Sequence, residues 1–436
     1  MEAIISAAAL LALIFLMLGL GVWIFIGLIA VSGLGLVVLA GMDLSRVATI
    51  ATGIIYRYSS AWELAAIPMF IWMGEIIFRT DISDRIFRGL APFVAHVPGR
   101  LLHTNVMGCT LFAAVSGSSA ATTATVGKIT TTELATRGYS RSLSLGSLAG
   151  AGSFGLLIPP SIIMIVYGIL AEVSISRLFA AGVLPGLMIA GLFSAYLILR
   201  ALLDPSVAPD GGERYRARDY AWALVDLLPI FTLMGIVLGA IYTGVATPSE
   251  AAAVGVFGAL VIAGVLRQLS VRLLMQTLLG AVQTSAMICS LLIAAAFLST
   301  AMGYLHIPAD VARAISALDL SPAMLLLTLT GFYIVLGLFL DGVSIIVMSL
   351  PITLPLVAAA GIDPVWFGIF LIVTIELGQV TPPVGFNLFV LQGMTGEPVG
   401  RIALYAFPFF CLMLLGIALL AMFPQIVLWL PGYLYG

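Results

Sequence analysis

The stretch TIELGQVTPPVGFNLFVLQG, residues 374–393, lies inside a long apolar region. It nevertheless carries glycine, glutamine, threonine, proline and asparagine where a lipid-facing helix would carry leucine. A proline has no N–H group, clashes with the carbonyl group four residues earlier and restricts the residue before it, so a helix must open at the Pro382–Pro383 pair. Carbonyl groups freed in hydrocarbon are costly unless they meet protein, water or a cation. The stretch therefore predicts a broken helix with polar backbone groups available for binding.

The composition is that of a membrane protein. Of the 436 residues, 62% are hydrophobic and 9% are charged, and the mean hydropathy is +1.19. A helix needs about 20 apolar residues to cross the hydrocarbon core, and such runs fill most of the chain. The alternating pattern of a β-barrel strand is absent, and so are the basic runs of a nucleic-acid-binding protein. We therefore predict an all-α polytopic membrane protein.

Most of the chain can be divided into simple spans. They are predicted at 4–19, 21–40, 62–79, 178–199, 226–243, 248–266, 272–303 and 402–430. The acidic start and the second apolar run that follows it favour a first span over a cleaved signal peptide. The side that is rich in arginine is predicted to be cytoplasmic, which places both termini outside. Two regions, 102–172 and 322–393, contain apolar runs too short or too interrupted to cross cleanly.

Those two regions repeat one another. AAVSGSSAATTATVGKIT (113–130) is followed by GAGSFGLLIPPSIIMIVYG (150–168), and LGLFLDGVSIIVMSLPITLP (336–355) is followed by LGQVTPPVGFNLFVLQG (377–393). Gly117 and Gly342 are 225 residues apart, and Pro159 and Pro382 are 223 residues apart. Two separate landmarks therefore recur at nearly one offset.

Each repeat predicts a re-entrant hairpin followed by a broken helix. The arms around each polar cluster are about 14 residues, or about 21 Å as helix, too short for two crossings. The two hairpins start from opposite sides, as inverted-topology repeats require, and such repeats place binding sites near the membrane midplane. The predicted divisions are a first repeat at 1–203 (hairpin 102–136, broken helix 142–172), a cytoplasmic linker at 204–219 and a second repeat at 220–436 (hairpin 322–357, broken helix 366–393).

The polar residues of these elements suit a hard cation and an anion. Hydroxyl and carbonyl oxygens at the first tip, and Asp341, Ser344 and the carbonyl groups near Gly342 at the second tip, can ligate Na⁺. Helix N-termini after each tip or break carry partial positive charge that favours an anionic substrate. Asp341 is the most informative charge because an intramembrane carboxylate is costly, although it could also cap the helix that follows it. Glu376 and Glu75 are expected nearer span ends, solvated or with a structural partner.

Other interpretations of the same residues remain open. A single Pro-Pro pair can be a kink, and SGSSAATTAT alone can be a helix-packing face. An intramembrane enzyme would need a catalytic pair, for which Lys128 is the only candidate partner of the serines, and Lys128 is expected to extend towards the cytoplasm instead. GAGSFG (150–155) lacks the strand-turn-helix setting of a nucleotide site.

The motifs SGSSAATTATVG, GLLIPPSIIMIVYG, GLFLDG and ELGQVTPPVGFNLFVLQG, in this order, resemble the large membrane subunit (DctM type) of tripartite ATP-independent periplasmic transporters. The resemblance covers nearly the whole chain. It implies a Na⁺-coupled elevator-type transporter of the bacterial inner membrane, using two or more Na⁺ ions. It also implies a separate four-helix small membrane subunit and a periplasmic substrate-binding protein that delivers an organic acid.

The resemblance also implies site residues. At a first Na⁺ site the tip residues Ser116 to Ser119 meet the break at Gly152 to Pro159, and at a second site Asp341, Gly342 and Ser344 meet Gln379, Thr381 and Pro382. The full set of candidate Na⁺ ligands is Ser116, Gly117, Ser119, Gly152, Pro159, Asp341, Gly342, Ser344, Gln379, Thr381 and Pro382. The candidate substrate contacts are Ser118, Ser119, Thr122, Gly155, Pro160, Gly385 and Asn387. A binding-protein-independent carboxylate symporter and a Na⁺/H⁺ exchanger of similar architecture are the alternatives.

Overall fold

The computed structural model describes residues 12–13, 16–17, 19–209, 215–316, 321–382 and 385–436. The regular secondary structure of these residues is helical, which confirms the all-α class. Most of the predicted first span, the centre of the predicted linker and Pro383 lie outside the described residues.

The helices before residue 204 are short around the first predicted hairpin and break. They are α1 (Ile24–Leu34, continued by a π-helix at Gly35–Leu39), α2 (Leu44–Ser59), α3 (Ala66–Phe78, preceded by a 3₁₀ turn at Trp62–Ala65), α4 (Ile82–Val94), α5 (His103–Ser116), α6 (Ser119–Thr136), α7 (Arg141–Gly152), α8 (Phe154–Leu157), α9 (Ile162–Leu170) and α10 (Ile175–Leu203).

The helices after the linker begin with three long ones. They are α11 (Ala217–Tyr242), α12 (Pro248–Val265), α13 (Val271–Tyr304), α14 (Ile307–Ser316), α15 (Pro322–Gly337), α16 (Gly342–Ala359), α17 (Pro364–Gln379), α18 (Phe386–Thr395), α19 (Val399–Met422) and α20 (Gln425–Tyr435).

Several of these helices can cross a membrane. Among the described residues, six are long and apolar enough: α10, α11, α12, α13, α16 and α19. Two bent pairs raise the number to as many as eight. Leu44–Ser59 meets Trp62–Phe78 at 54°, and Arg141–Leu157 meets Ile162–Leu170 at 43°. The chain is a multi-pass membrane protein, as its composition predicts.

Two predicted spans differ from the structure. The predicted span 62–79 is only the second arm of a bent pair, because the helix Leu44–Ser59 precedes it. Arginines interrupt that helix, so its apolar run was too weak to be recognised as part of a span. The predicted span 402–430 is divided into α19 and α20 at Phe423–Pro424. Pro424 has no N–H group to continue the first helix.

The helices pack in two groups. In the first, α3 packs against α12 and α13, and α4 packs against α11. The second contains the predicted hairpins and breaks, in which α7 packs against α19, α15 against α17, and α6 against α5, α7 and α18. Helix α5 also contacts α3 and α4, so it lies along the boundary between the two groups.

The turns that join the hairpin helices are set by single residues. Gly117 has a φ of +59° and ends α5 in the left-handed region, which suits a residue without a Cβ atom. Ser118 then caps α6, where its hydroxyl accepts a hydrogen bond from the Ala121 N–H at 3.4 Å. At the second turn Asp341 caps α16 in the same way.

Candidate functional site

The first hairpin tip packs directly against the first helix break. A Cβ atom at Gly155 would collide with the carbonyl group of Ser118 and would lie 2.7 Å from the Ser119 nitrogen. A Cβ atom at Gly117 would lie 3.2 Å from the Ile162 nitrogen. The break itself is closed by Ser161, whose hydroxyl donates to the Leu156 carbonyl group at 2.6 Å. Glycine on both sides therefore brings two polar backbone segments into contact.

Hydroxyl groups converge on the carbonyl group of Ser118. The Thr122 hydroxyl donates to it at 2.8 Å, and the Ser116 hydroxyl lies 3.3 Å from it and 2.7 Å from the Thr122 hydroxyl. Thr122 is fully buried. On the other side, Gly152 lies directly against the Thr123 hydroxyl, where a Cβ atom would not fit. Pro159 and Pro160 are buried at the break. The residues predicted for the first site are thus close together.

The second hairpin tip lies along the last turn of α17. A Cβ atom at Gly337 would be 2.7 Å from the Gly378 Cα atom, and one at Gly342 would be 3.3 Å from the Ile375 side chain. The same Gly342 position faces Ile163 of the first broken helix at 2.8 Å. The contacts of this tip are therefore with the turn just before Thr381 and with the other half of the chain.

Two predicted ligands of the second site already have local partners. The Asp341 carboxylate accepts the N–H groups of Val343 at 3.1 Å and Ser344 at 3.3 Å, and it also accepts the Ser344 hydroxyl. The Thr381 hydroxyl donates to the Leu377 carbonyl group at 2.7 Å. Pro382 is exposed. Asp341 therefore serves as a helix cap, and its remaining lone pairs are what it could offer to an ion.

Gln379 joins the two halves. Its side-chain oxygen accepts a hydrogen bond from the Ser119 hydroxyl at 3.3 Å, and both side chains are buried. The resemblance pairs Gln379 with the second tip, whereas the structure places it within hydrogen-bonding distance of the first. The end of the first hairpin and the second break therefore share one polar region.

Asn387 lies in the helix that follows the second break, eight residues after Gln379. That helix, α18, packs against α6, and a Cβ atom at Gly127 would lie 3.2 Å from the Met394 side chain. Among the described residues neither the amide oxygen nor the amide nitrogen of Asn387 has a hydrogen-bond partner, although the residue is fully buried.

The hydroxyl groups of Thr123 and Thr125 are buried and also lack partners among the described residues. The two hydroxyls lie on different sides of α6, because Thr123 faces Gly152 of α7 and Thr125 lines a small cavity with Ser83 and Thr104, so the two do not face one common ligand. Gly385, just before α18, has a φ of +50° and is buried. It turns the chain into the helix that carries Asn387.

The position of Glu376 was predicted wrongly. It was expected near a span end, but its side chain is 1% exposed and, among the described residues, neither carboxylate oxygen has a hydrogen-bond partner. Helix α17 starts at Pro364, so Glu376 lies about 18 Å along it, close to the break. The sequence held a signal for this position, because Glu376 comes just before the predicted helix break.

A second buried carboxylate, Glu397, has two cationic partners. Arg401 donates to it at 2.7 Å and Arg141 at 2.9 Å, so it links the start of α7 with the start of α19. The hydrogen bond from Arg401, supported by the one from Arg141, holds the pKa of this carboxyl below its ordinary value of 4.5. This cluster fastens the two halves to each other at the arginine-rich side.

The donor atoms fit a hard monovalent cation better than a transition metal. Within the described residues there is no group of three His, Cys, Asp or Glu side chains that could hold a metal ion. The tips and breaks offer hydroxyl, carbonyl, amide and a few carboxylate oxygens instead, which are the ligands that Na⁺-like cations take. Lys128 is exposed, away from these groups, as expected.

Comparison with known proteins identifies the family. The family model described as "Tripartite ATP-independent periplasmic transporter, DctM component" matches residues 11–426. The chain belongs to the DctM family. It is 34% identical over 385 residues to the C4-dicarboxylate TRAP transporter large permease protein DctM of Pseudomonas aeruginosa, covering 87% of this chain and 88% of that protein.

Other relatives extend this match. The chain is 33% identical over 429 residues to the ectoine/5-hydroxyectoine TRAP transporter large permease protein UehC of Ruegeria pomeroyi, with 98% of each chain covered. The crystal structure of the Alcanivorax borkumensis YdaH transporter has a similar fold, with a TM-score of 0.60, 15% identity and coverage of 88% of this chain and 90% of that one. The DctM relatives are transporter permeases, so the enzyme alternative is abandoned.

Proposed function

We propose that this DctM protein is the large membrane subunit of a Na⁺-coupled importer of small organic acids. The observation that carries the proposal is the contact of Ser119 of the first tip with Gln379 of the second break at 3.3 Å, followed after the break by Asn387, whose amide has no partner among the described residues. Oxygen ligands and an unsatisfied amide around one break suit an ion and a polar substrate bound side by side.

The Na⁺ ions are held where hairpin tips meet helix breaks. At the first site Ser116, Gly117 and Ser119 face the segment from Gly152 to Pro159. At the second, Asp341, Gly342 and Ser344 share an ion with residues of the last turn of α17 and the break, namely Gln379, Thr381 and Pro382. Na⁺ supplies the driving force for uptake and offsets the negative charge of the substrate.

The substrate lies between α6 and α18. The proposed contacts are Ser118, Ser119, Thr122, Gly155, Pro160, Gly385 and Asn387. None of these is cationic, so a carboxylate is stabilised by backbone N–H groups at helix N-termini and by the bound Na⁺. The relatives are named for the transport of C4-dicarboxylates and of ectoines, which are small carboxylates and carboxylate zwitterions. A small substrate of this class fits a region lined by serine, threonine and asparagine.

Transport follows an elevator mechanism in the bacterial inner membrane. The helix group with both hairpins and both breaks moves against the group of α3, α4, α11, α12 and α13, along the boundary that α5 occupies. A separate four-helix small membrane subunit supports the group of α3, α4, α11, α12 and α13, and a periplasmic binding protein delivers the substrate. The inverted repeats at 1–203 and 220–436 explain why the two halves contribute to one site.

The test is uptake into proteoliposomes that contain the complex of this chain and its small subunit. Binding protein loaded with a labelled organic acid is added outside, with an inward Na⁺ gradient or with choline. Uptake should require both the Na⁺ gradient and the binding protein. Uptake at the same rate with and without the Na⁺ gradient would refute Na⁺ coupling. Uptake without binding protein would favour a carrier that works independently of a binding protein.

Asn387→Leu tests the substrate site. Because the amide has no partner among the described residues, the apolar replacement breaks no hydrogen bond with them and should leave thermal stability unchanged while uptake falls at least about tenfold. Leu391→Met, one turn along the same buried face, is the matched control. Uptake at the wild-type rate in Asn387→Leu would show that the assignment of Asn387 is wrong.

A further inference from the structure

Glu376 is the most anomalous group among the described residues. Its side chain is 1% exposed, and neither carboxylate oxygen has a partner among the described residues. An ionised carboxylate buried at this depth without a partner is strongly disfavoured. By contrast, the other buried acid, Glu397, has two arginines. Glu376 can therefore be ionised only with a cationic partner that the described residues do not supply.

The local backbone makes a cation the suitable partner. Glu376 lies in the last turn of α17, where the helix dipole is negative and carbonyl groups lack partners within the helix. An anion at this end of a helix is destabilised and a cation is stabilised. The Leu377 and Gly378 carbonyl groups are already taken by the hydroxyl and N–H groups of Thr381. These bonds leave the end of the helix rigid.

Gln379, and through it Ser119, brings two neutral oxygens to the end of α17 where Glu376 lies. Residue 379 lies three positions after residue 376, so the two side chains are neighbours on one face of α17. The Gln379 oxygen and the Ser119 hydroxyl oxygen are 3.3 Å apart. Adjacent ligands of a six-coordinate cation with metal–oxygen distances of about 2.4 Å are separated by about 3.4 Å. The pair is therefore spaced as two ligands of one ion.

We infer that Glu376, with Gln379 and Ser119, binds a monovalent cation between the first hairpin tip and the last turn of α17. This site adds Glu376 to Ser119 and Gln379, which the proposed function gives to the first and the second tip–break site, and the inference rests on that proposed Na⁺-coupled function. One carboxylate with two neutral oxygens balances a single charge, whereas a divalent ion would leave an excess charge in a buried site. Because its ligands come from residues 119 and 376–379, the ion ties the two halves of the chain together.

The first test is Na⁺-dependent thermal stability of the purified complex with its small subunit, measured against choline at constant ionic strength. In Glu376→Gln the Na⁺ concentration for half-maximal stabilisation should rise at least about tenfold. In choline this variant should be at least as stable as the wild type, because the amide replaces a buried carboxyl group that has no partner among the described residues. Glu75→Gln, the same change at a carboxylate paired with Arg79, is the control and should respond to Na⁺ like the wild type.

A second measurement uses the unaltered protein, so a variant that does not fold cannot block the test. Dicyclohexylcarbodiimide, a hydrophobic reagent for buried carboxyl groups, is applied in Na⁺ or in choline, and peptides are analysed by mass spectrometry. Labelling of Glu376 in choline and protection by Na⁺ are expected.

The outcomes separate this inference from the proposed function. If wild-type stability responds to Na⁺ and Glu376→Gln responds identically, or if Na⁺ gives no protection, the Glu376 site is refuted while Na⁺ coupling can stand. If the wild type shows neither a Na⁺ response in stability nor Na⁺-driven uptake, both are refuted. Stabilisation of the wild type by Ca²⁺ instead of Na⁺ would refute a monovalent site.

Discussion

Gly155→Ala is expected to separate the first hairpin tip from the first helix break. The new Cβ atom would lie 2.7 Å from the Ser119 nitrogen and would overlap the Ser118 carbonyl group. Ordinary contacts of this kind are about 3.5–4.0 Å, so the tip must move by about 1 Å. Both partners are backbone atoms, and they cannot move aside by changing a rotamer. Overpacking of this kind costs about 1–3 kcal/mol.

If that cost falls on ion binding, Na⁺ affinity should fall about 5- to 150-fold, because 1.4 kcal/mol corresponds to a factor of ten. The assay is the Na⁺ concentration for half-maximal uptake in proteoliposomes, together with the thermal stability of the purified complex. Gly191→Ala in α10 is the matched control, since no atom lies within 4 Å of its Cβ position. There alanine should stabilise the helix by about 0.5–1 kcal/mol.

A Gly155→Ala variant with wild-type stability and wild-type Na⁺ dependence would refute the direct packing of tip against break. Equal losses in Gly155→Ala and Gly191→Ala would also contradict it, because the argument depends on the contact and not on the residue type. Gly155→Ala should lower the thermal stability, whereas Gly191→Ala should raise it.

Two further substitutions test single carboxylates. Asp341→Asn should keep thermal stability within about 0.5 kcal/mol, because asparagine caps a helix as well as aspartate, but it should raise the Na⁺ concentration for half-maximal uptake. If the Na⁺ dependence of uptake is unchanged, Asp341 is a helix cap and does not bind Na⁺. Glu397→Gln should be less stable than the wild type at pH 7 and less sensitive to acid. Because the pKa of Glu397 is lowered, its ionised side chain stabilises the folded protein above the ordinary pKa of 4.5. This stabilisation is lost as the pH falls through the lowered pKa. Thermal unfolding at pH 7 and at about pH 3.5 tests this, and equal acid sensitivity in both proteins would contradict it.

The positions of the turns could be predicted because single residues decide them. Gly117 takes a left-handed conformation that few other residues tolerate, and the pair Pro159–Pro160 cannot continue a helix. These are local effects, and a local pattern in the sequence suffices to find them. The same holds for the all-helical class, which follows from the length and composition of the apolar runs.

The contacts between the halves could not be predicted in this way. Ser119 and Gln379 are 260 residues apart, and their hydrogen bond depends on how four helices pack. The local spacing around Glu376 gave the wrong environment, since an acid followed by glycine and glutamine also suits a span end. Likewise, the bend between Leu44–Ser59 and Trp62–Phe78 depends on packing against the long helices that follow in the chain.

Many polar side chains of the same helix group are satisfied locally, although the Ser144 hydroxyl and the Asn105 amide oxygen also lack partners among the described residues. The hydroxyls of Thr130, Ser349 and Thr374 each donate to a carbonyl group four residues earlier, and the Asp363 carboxylate caps α17 by accepting two backbone N–H groups. A helix in a membrane provides such an acceptor for almost any threonine or serine, so a buried hydroxyl without a partner is unusual there.

Glu376 and Asn387 have no comparable local solution, since a carboxylate only accepts and an amide needs both a donor and an acceptor. Both flank the second break, within one or two turns of Gln379, and Gln379 contacts the first tip. Glu376 precedes the contact between Gln379 and Ser119 by one helical turn, and Asn387 follows the break, so an ion and a substrate bound there, as we propose, would supply the partners that the described residues lack.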